Sequence, residues 1–283
     1  MTGSEVYFPY SVIRVQDKQK TLPVLSARDE LQFIFVPFGR LKIHTLDGIE
    51  EIVSGEAYFI NAGVPCYVEN TRHGYYECFL FGRECLEFYQ GSPAAEAVER
   101  LLGEGGLTCK LFDGSEPWQE QVLEELRRLA VLEREKTEWY SYEVLVRLST
   151  ICLLMQQNIA KISQKSKRTR VINTRMQDFL QYIQKHYREE IKLEMIAASG
   201  GVSKAECLRC FRNTLGTTPY KYLMDYRLMK AAGLLTGTDR QIGEIAVLTG
   251  FEKPSYFGKC FKERFSCTPH AYRVKYTNEI RRK

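Results

Sequence analysis

Two short stretches place small and basic side chains on one side of a helix, just after a glycine turn. In the first, Lys204, Ala205, Leu208, Arg209 and Arg212 fall outward; in the second, Pro254, Ser255, Gly258, Lys259 and Lys262 do, with Lys253 just ahead. A short helix, a glycine turn and a second helix with such an outer face form the pattern of a helix-turn-helix reading a DNA major groove. The nine cysteines offer a different chemistry, but they lack metal-ligand spacing and sit mostly among apolar neighbours. Cys207 and Cys210 form a Cys-x-x-Cys whose helical period suits packing better than redox or zinc chemistry.

The elements that must position these side chains are legible in the second stretch. Thr238 and Gln241 have capping-box spacing, so a helix is expected to start there and run through Ile242, Ile245 and Ala246. Gly250 ends it through positive φ, and Phe251 folds back onto the small Ala246. A second helix follows from about Pro254 to Arg264, with Phe257, Cys260, Phe261 and Phe265 as its buried stripe. The design repeats about fifty residues upstream. Ile196-Ala197 matches Ile245-Ala246, Gly201 matches Gly250, Cys210-Phe211-Arg212 matches Cys260-Phe261-Lys262, and Thr218-Pro219 with Tyr222 matches Thr268-Pro269 with Tyr272. Between the copies, Tyr226 to Leu235 reads as a linker helix. Capping-box spacings at Thr174/Gln177 and Ser203/Glu206 open a leading helix and the first recognition helix.

The paired motifs, the linker helix and the closing Phe-x-x-x-Phe-x-x-Thr-Pro-x-x-Tyr-Arg (Phe261 to Arg273) resemble the DNA-binding domain of AraC/XylS-type bacterial transcription regulators, over roughly Asn173 to Lys275. The resemblance implies that Ala205, Leu208 and Arg209 face bases. An arginine there forks onto guanine while apolar groups meet thymine methyls. The matching second positions, Pro254, Ser255, Gly258 and Lys259, hold only two donors, so this half is expected mainly to grip phosphates, helped by Lys253, Lys262 and Arg212. It further implies a homodimer on double-stranded DNA, contact with RNA polymerase and activation controlled by a small-molecule effector, a sugar being one class. Two departures are visible: Ser266 stands where that family usually has glycine, and Gly233 lies inside the linker helix.

The charge distribution agrees. Residues 166–283 hold 23 Lys+Arg against 11 Asp+Glu, whereas residues 1–165 hold 17 against 24, within a net charge of +5. The basic half is the half with the repeat, which favours nucleic acid as its partner. The 44% hydrophobic and 27% charged content is that of a soluble globular chain. No apolar run is long enough to cross a bilayer, and Met1 to Glu5 does not begin a secretory leader, so the expected site of action is the cytoplasm, without membrane partners.

Residues 6–87 read as strands: Leu31 to Val36, the alternating Arg40 to Leu46, a hairpin turn at Asp47-Gly48, then Glu50 to Val53. Gly55 to Asn70 is similar to the second cupin motif, with Cys66 where metal-binding cupins have histidine. Ser26, Arg28 and Gln32 occupy the remaining ligand places, and these residue types do not hold a divalent metal in place of imidazole and carboxylate. No metal, no cofactor and no enzymatic activity are therefore expected. A barrel without metal still holds ligands, and Arg28, Gln32, Phe33, Phe35, Tyr58 and Cys66 are its candidate effector contacts. Two alternatives stand beside this: a thiol-responsive regulator using Cys66, with Cys78 or Cys85, and a cupin enzyme tethered to DNA.

The fold class expected is therefore two-domain: an N-terminal cupin-like β-barrel with following helices, and a C-terminal all-α double helix-turn-helix. The boundaries read as 1–92 for the barrel, 93–162 for a helical dimerisation segment, 163–172 for a basic linker and 173–283 for the DNA-binding domain.

Overall fold

Strand and helix boundaries follow from a computed structural model that describes residues 8–16, 24–89, 91–103, 106–158 and 167–280. The described residues hold six strands, β1 (Tyr10–Gln16), β2 (Leu31–Thr45), β3 (Gly48–Val53), β4 (Ala57–Ile60), β5 (Cys66–Phe81) and β6 (Cys109–Phe112), the last of which follows two helices. They form one sheet in the order β1-β5-β2-β4-β6, with β3 paired to β2. The pairings β1–β5, β2–β3, β2–β4 and β4–β6 are all antiparallel. Alternation along the strands sends Leu31, Phe33, Phe35, Phe59, Phe79 and Phe81 to one face.

Helices α1 (Glu84–Glu87), α2 (Pro93–Leu102), α3 (Pro117–Glu135) and α4 (Tyr140–Gln157) cover that face. Their apolar stripes, Val122, Leu126 and Leu129 on α3 and Val144, Leu148, Ile151 and Met155 on α4, join the same core. Asn61 ties sheet to helix: its amide donates to the Leu102 and Leu107 carbonyls, both at 2.8 Å.

Among the described residues from 167 onwards there are seven helices: α5 (Lys167–His186), α6 (Leu193–Ser199), α7 (Lys204–Leu215), α8 (Pro219–Gly237), α9 (Ile242–Leu248), α10 (Pro254–Phe265) and α11 (Pro269–Ile280). Two aromatic clusters hold them. Phe179 stacks on Phe211, which meets Tyr222 edge-on; Phe261 stacks on Phe265, and both meet Tyr272. The repeat seen in sequence is thus a repeat of packing. Two units result: one from the described residues before 159 apart from 24–26 and 65–67, the other from those two segments and residues 167–280. Among the described residues no helix is long and apolar enough to cross a membrane.

Several local expectations are corrected. Thr238 does not start a helix; it closes α8, its hydroxyl donating to the Leu234 carbonyl at 2.7 Å, and Gln241 occupies the cap position of α9. Thr174 lies inside α5, which is already helical at Lys167, because Lys, Arg, Met and Gln propagate a helix readily. The expected linker therefore overlaps α5 from Lys167, and Ser163 to Ser166 lie outside the described residues, as do Met1 to Glu5. The linker helix begins at Pro219, with Thr218 accepting from the Lys221 N–H, so it is 19 residues long. The β2–β3 turn sits one residue earlier than expected, since Thr45 pairs with Gly48 and leaves Leu46-Asp47 as the loop. Cys260 is half-buried; Phe257, Phe261 and Phe265 carry the stripe.

Candidate nucleic-acid interface

The two glycine turns are the same structure made twice. At Gly201 φ is 64° and the Val202 N–H donates to the Ala197 carbonyl at 3.1 Å; at Gly250 φ is 84° and the Phe251 N–H donates to the Ala246 carbonyl at 2.9 Å. This left-handed step closes the helix with a backbone bond and redirects the chain, which an L side chain resists. Hydroxyls just ahead of each turn help, from positions one residue apart in the two copies: Ser199, two residues before Gly201, donates to the Ile196 carbonyl and the fully buried Thr249, next to Gly250, to the Ile245 carbonyl, both at 2.8 Å.

Each turn leads into a helix with an aromatic or cysteine stripe buried on one side. On α7, Cys207, Cys210 and Phe211 are buried, which leaves Lys204, Ala205, Leu208, Arg209 and Arg212 exposed. Burial pushes the Cys207 thiol up to about 11, as suits a packed rather than a reactive cysteine. On α10, Pro254, Ser255, Lys259 and Lys262 are exposed, together with Lys253 ahead of it, and Gly258 is half-buried. Ser203 caps α7 by accepting the Glu206 N–H. Pro254 at the first position fixes the start of α10, where it removes a donor that has no helical partner.

The relative orientation of the two halves is set by α8 and by charged side chains on neighbouring helices. Arg264 of α10 grips Asp225 of α8, with Nε 2.9 Å from Oδ1 and Nη2 donating to Oδ2 at 3.1 Å. Arg227, also on α8, donates to the Tyr187 and Glu189 carbonyls, both at 2.7 Å, which anchors the end of α5. Desolvation lowers the Arg227 pKa, as expected for a guanidinium used inside the fold. Arg273 repeats the device one module later, donating to the Leu235 and Arg240 carbonyls.

Four residues here escape a reading of the sequence. Glu206 has the spacing of a capping-box acid, yet its carboxylate turns along the helix to Arg209, 2.5 Å away; the i, i+3 spacing of the pair is the one available signal. Asp225 and Arg264 lie far apart in sequence, and no local pattern links them. Tyr256, at the register position of Glu206 in the second copy, is exposed and interacts with Cys260 and Tyr220; those hydrogen bonds push its hydroxyl up to about 12.

The expected effector contacts are not brought together. Phe33 and Phe35 face the helices, whereas Gln32 and Tyr58 lie at the intervening positions on the other side of the sheet. Gln32 is buried there, accepts from the Cys78 thiol at 3.9 Å, and leaves its amide nitrogen without a protein partner. Burial raises the Tyr58 hydroxyl pKa. Arg28 is exposed, and Cys66 opens β5 in a reciprocal backbone bridge with Ser26. On the helical face, Phe33, Phe59, Phe81, Leu148, Cys152 and Met155 line an apolar crevice of about 10 Å³, room for roughly one water molecule.

An antiparallel sheet domain with packed helices, followed by two matched helix-turn-helix units, defines a two-domain DNA-binding transcription regulator. Residues 196–275 match the family model described as a helix-turn-helix domain. The HTH-type transcriptional regulator YdeC of Bacillus subtilis is 26% identical over 257 residues, covering 88% of this chain and 85% of its own. The HTH-type transcriptional activator RhaS of Klebsiella pneumoniae is 26% identical over 234 residues, 78% of this chain and 80% of its own. Among solved structures, unsaturated fatty acid-bound ToxT of Vibrio cholerae covers 98% of this chain and 99% of its own at 13% identity and a TM-score of 0.50, a likeness of fold. The chain is therefore similar over most of its length to HTH-type transcription regulators, and its helix-turn-helix domain lies in residues 196–275.

Proposed function

We propose that the chain is a sequence-specific transcription activator, working in the cytoplasm as a homodimer, whose N-terminal unit takes a small-molecule effector. The observation that carries the reading is the duplicated turn, with cations outward on both recognition helices and the two halves tied through Asp225–Arg264. One chain then addresses two successive major-groove faces about one helical turn apart. Arg209 reads guanine, and Ala205 and Leu208 meet thymine methyls. Lys204, Arg212, Lys253, Pro254, Ser255, Gly258, Lys259 and Lys262 complete the surface, Ser255 and Lys259 reading weakly and the other cations holding phosphates. RNA polymerase is the partner that activation requires. RhaS is an activator by name and ToxT was solved with a fatty acid; both support the activator and effector parts of this reading.

The test separates reading from gripping. Arg209→Ala lowers affinity for selected DNA by about 1 to 3 kcal/mol, with the loss confined to one base position. Lys262→Ala weakens all sequences alike and reduces the salt slope by about one unit. Equal losses on selected and random duplexes for the Arg209 change would remove its assigned role.

A further inference from the structure

Arg209 is not a free side chain waiting on the helix surface. Its guanidinium Nη2 lies 2.5 Å from Glu206 Oε2, one turn earlier on the same exposed side of α7. The other carboxylate oxygen accepts from the Cys210 thiol at 3.7 Å, so both oxygens are used and the carboxylate has a fixed seat. Glu206 remains ionised at neutral pH, since the Arg209 hydrogen bond holds its carboxyl below the usual range. A carboxylate in the first turn of a helix also sits in the favourable field of the helix N-terminus.

Such an acid is unfavourable on a surface that meets a polyanion, unless it does something there. The capping explanation does not account for it. Ser203 caps the helix through the Glu206 backbone N–H, and the acid side chain points the other way, towards Arg209. The second copy makes a useful contrast. Tyr256 stands at the same register position, followed three residues later by Lys259, so the second helix has neither the carboxylate nor the planar fork.

We infer that Glu206 is a positioning residue for base reading: it holds the Arg209 guanidinium in the orientation that presents two parallel N–H groups to one guanine, and so determines the specificity of the first module. The inference rests on α7 being the base-reading helix. A guanidinium has five donors in a rigid plane, so one edge can stay on Glu206 while the other meets the guanine O6 and N7. Fixing the fork beforehand sharpens discrimination, because a misplaced base then meets a donor pair that cannot swing away. The negative charge also weakens binding wherever no guanine is offered.

The experiment uses the full chain and a randomised duplex library. Sequences are selected with wild type, Glu206→Gln, Arg209→Ala and the double variant, and affinities are then measured on the wild-type-selected duplex, on the same duplex with the guanine replaced, and on random DNA. For Glu206→Gln the expected result is about a tenfold fall in discrimination at that base pair together with a few-fold gain on random DNA. On the Arg209→Ala background the same change is expected to raise all affinities equally. A Glu206→Gln protein that binds every duplex more tightly by one common factor, with its base preferences unchanged, overturns the inference and reduces Glu206 to a surface charge. Purely additive effects in the double variant overturn it as well. If wild type selects no sequence at all, the DNA-reading role of α7 fails first, and the positioning role with it.

Discussion

The duplicated turn provides its own control. Gly201→Ala and Gly250→Ala make the same chemical change at positive φ, 64° in one copy and 84° in the other. Each forces an L residue into the left-handed region at roughly 1 to 2 kcal/mol, and each recovers about 0.4 to 1 kcal/mol by restricting the unfolded chain. These contributions nearly cancel between the two variants. The surroundings differ: a Cβ at Gly201 meets nothing within 4 Å, whereas one at Gly250 lies 2.7 Å from the Tyr187 carbonyl oxygen and 2.9 Å from Arg227 Nε. Those two atoms are partners in a 2.7 Å hydrogen bond, so the added methyl drives a wedge into it. Losing a charged hydrogen bond of this kind costs about 1.5 to 3 kcal/mol. Gly201→Ala should therefore cost about 1 kcal/mol or less, and Gly250→Ala about 2 kcal/mol more.

The assay is urea denaturation of the full chain. Both tryptophans, Trp118 and Trp139, belong to the N-terminal unit, so fluorescence follows that unit while ellipticity at 222 nm is weighted towards the helical C-terminal one. With a slope of about 2 kcal/mol per molar urea, the ellipticity midpoints of the two variants should differ by about 1 M, with the fluorescence midpoint unmoved. Equal midpoints would refute the claim that Arg227 and the second turn are packed as one piece.

Two further changes test the same physics elsewhere. Gly233, exposed within α8 with open space around its missing Cβ, should gain about 1 kcal/mol when changed to Ala, read as a raised ellipticity midpoint; a loss would mean that a contact is made there. Burial pushes the Cys85 thiol up to about 11, so the folded state favours the neutral form. Its iodoacetamide labelling, followed by peptide mass spectrometry, should rise about tenfold per pH unit from 8 to 10, and a plateau near 8.5 would expose a low-pKa, sensor-like thiol instead.

The helix-turn-helix halves are legible in the sequence because their signals are local: a glycine at the turn, a small alanine beneath it and an aromatic stripe at spacings of three and four. The illegible features depend on a choice between neighbours. Thr238 has the same chemistry whether it opens α9 or closes α8, and only the path of the chain makes it bond backwards to Leu234. Glu206 has the spacing of a capping acid, but its carboxylate turns along the helix to Arg209 and the Cys210 thiol. The sheet is recognisable, but Phe33 and Gln32 are consecutive and so face opposite ways, and treating both as one ligand lining ignores the pleat. The Asp225–Arg264 pair spans 39 residues and has no sequence signature at all.

Helix α8 acts as a ruler. Its 19 residues rise about 28 Å at 1.5 Å each, and every residue added or removed rotates the second module by about 100° about the helix axis. An insertion of one residue would turn α10 away from the side that α7 faces and break the Arg264 grip, whereas seven residues, nearly two full turns, would restore its heading at a greater distance. Substitutions on the outer faces of α7 and α10 leave this spacing untouched, whereas any change in the length of α8 resets both the distance and the heading between them.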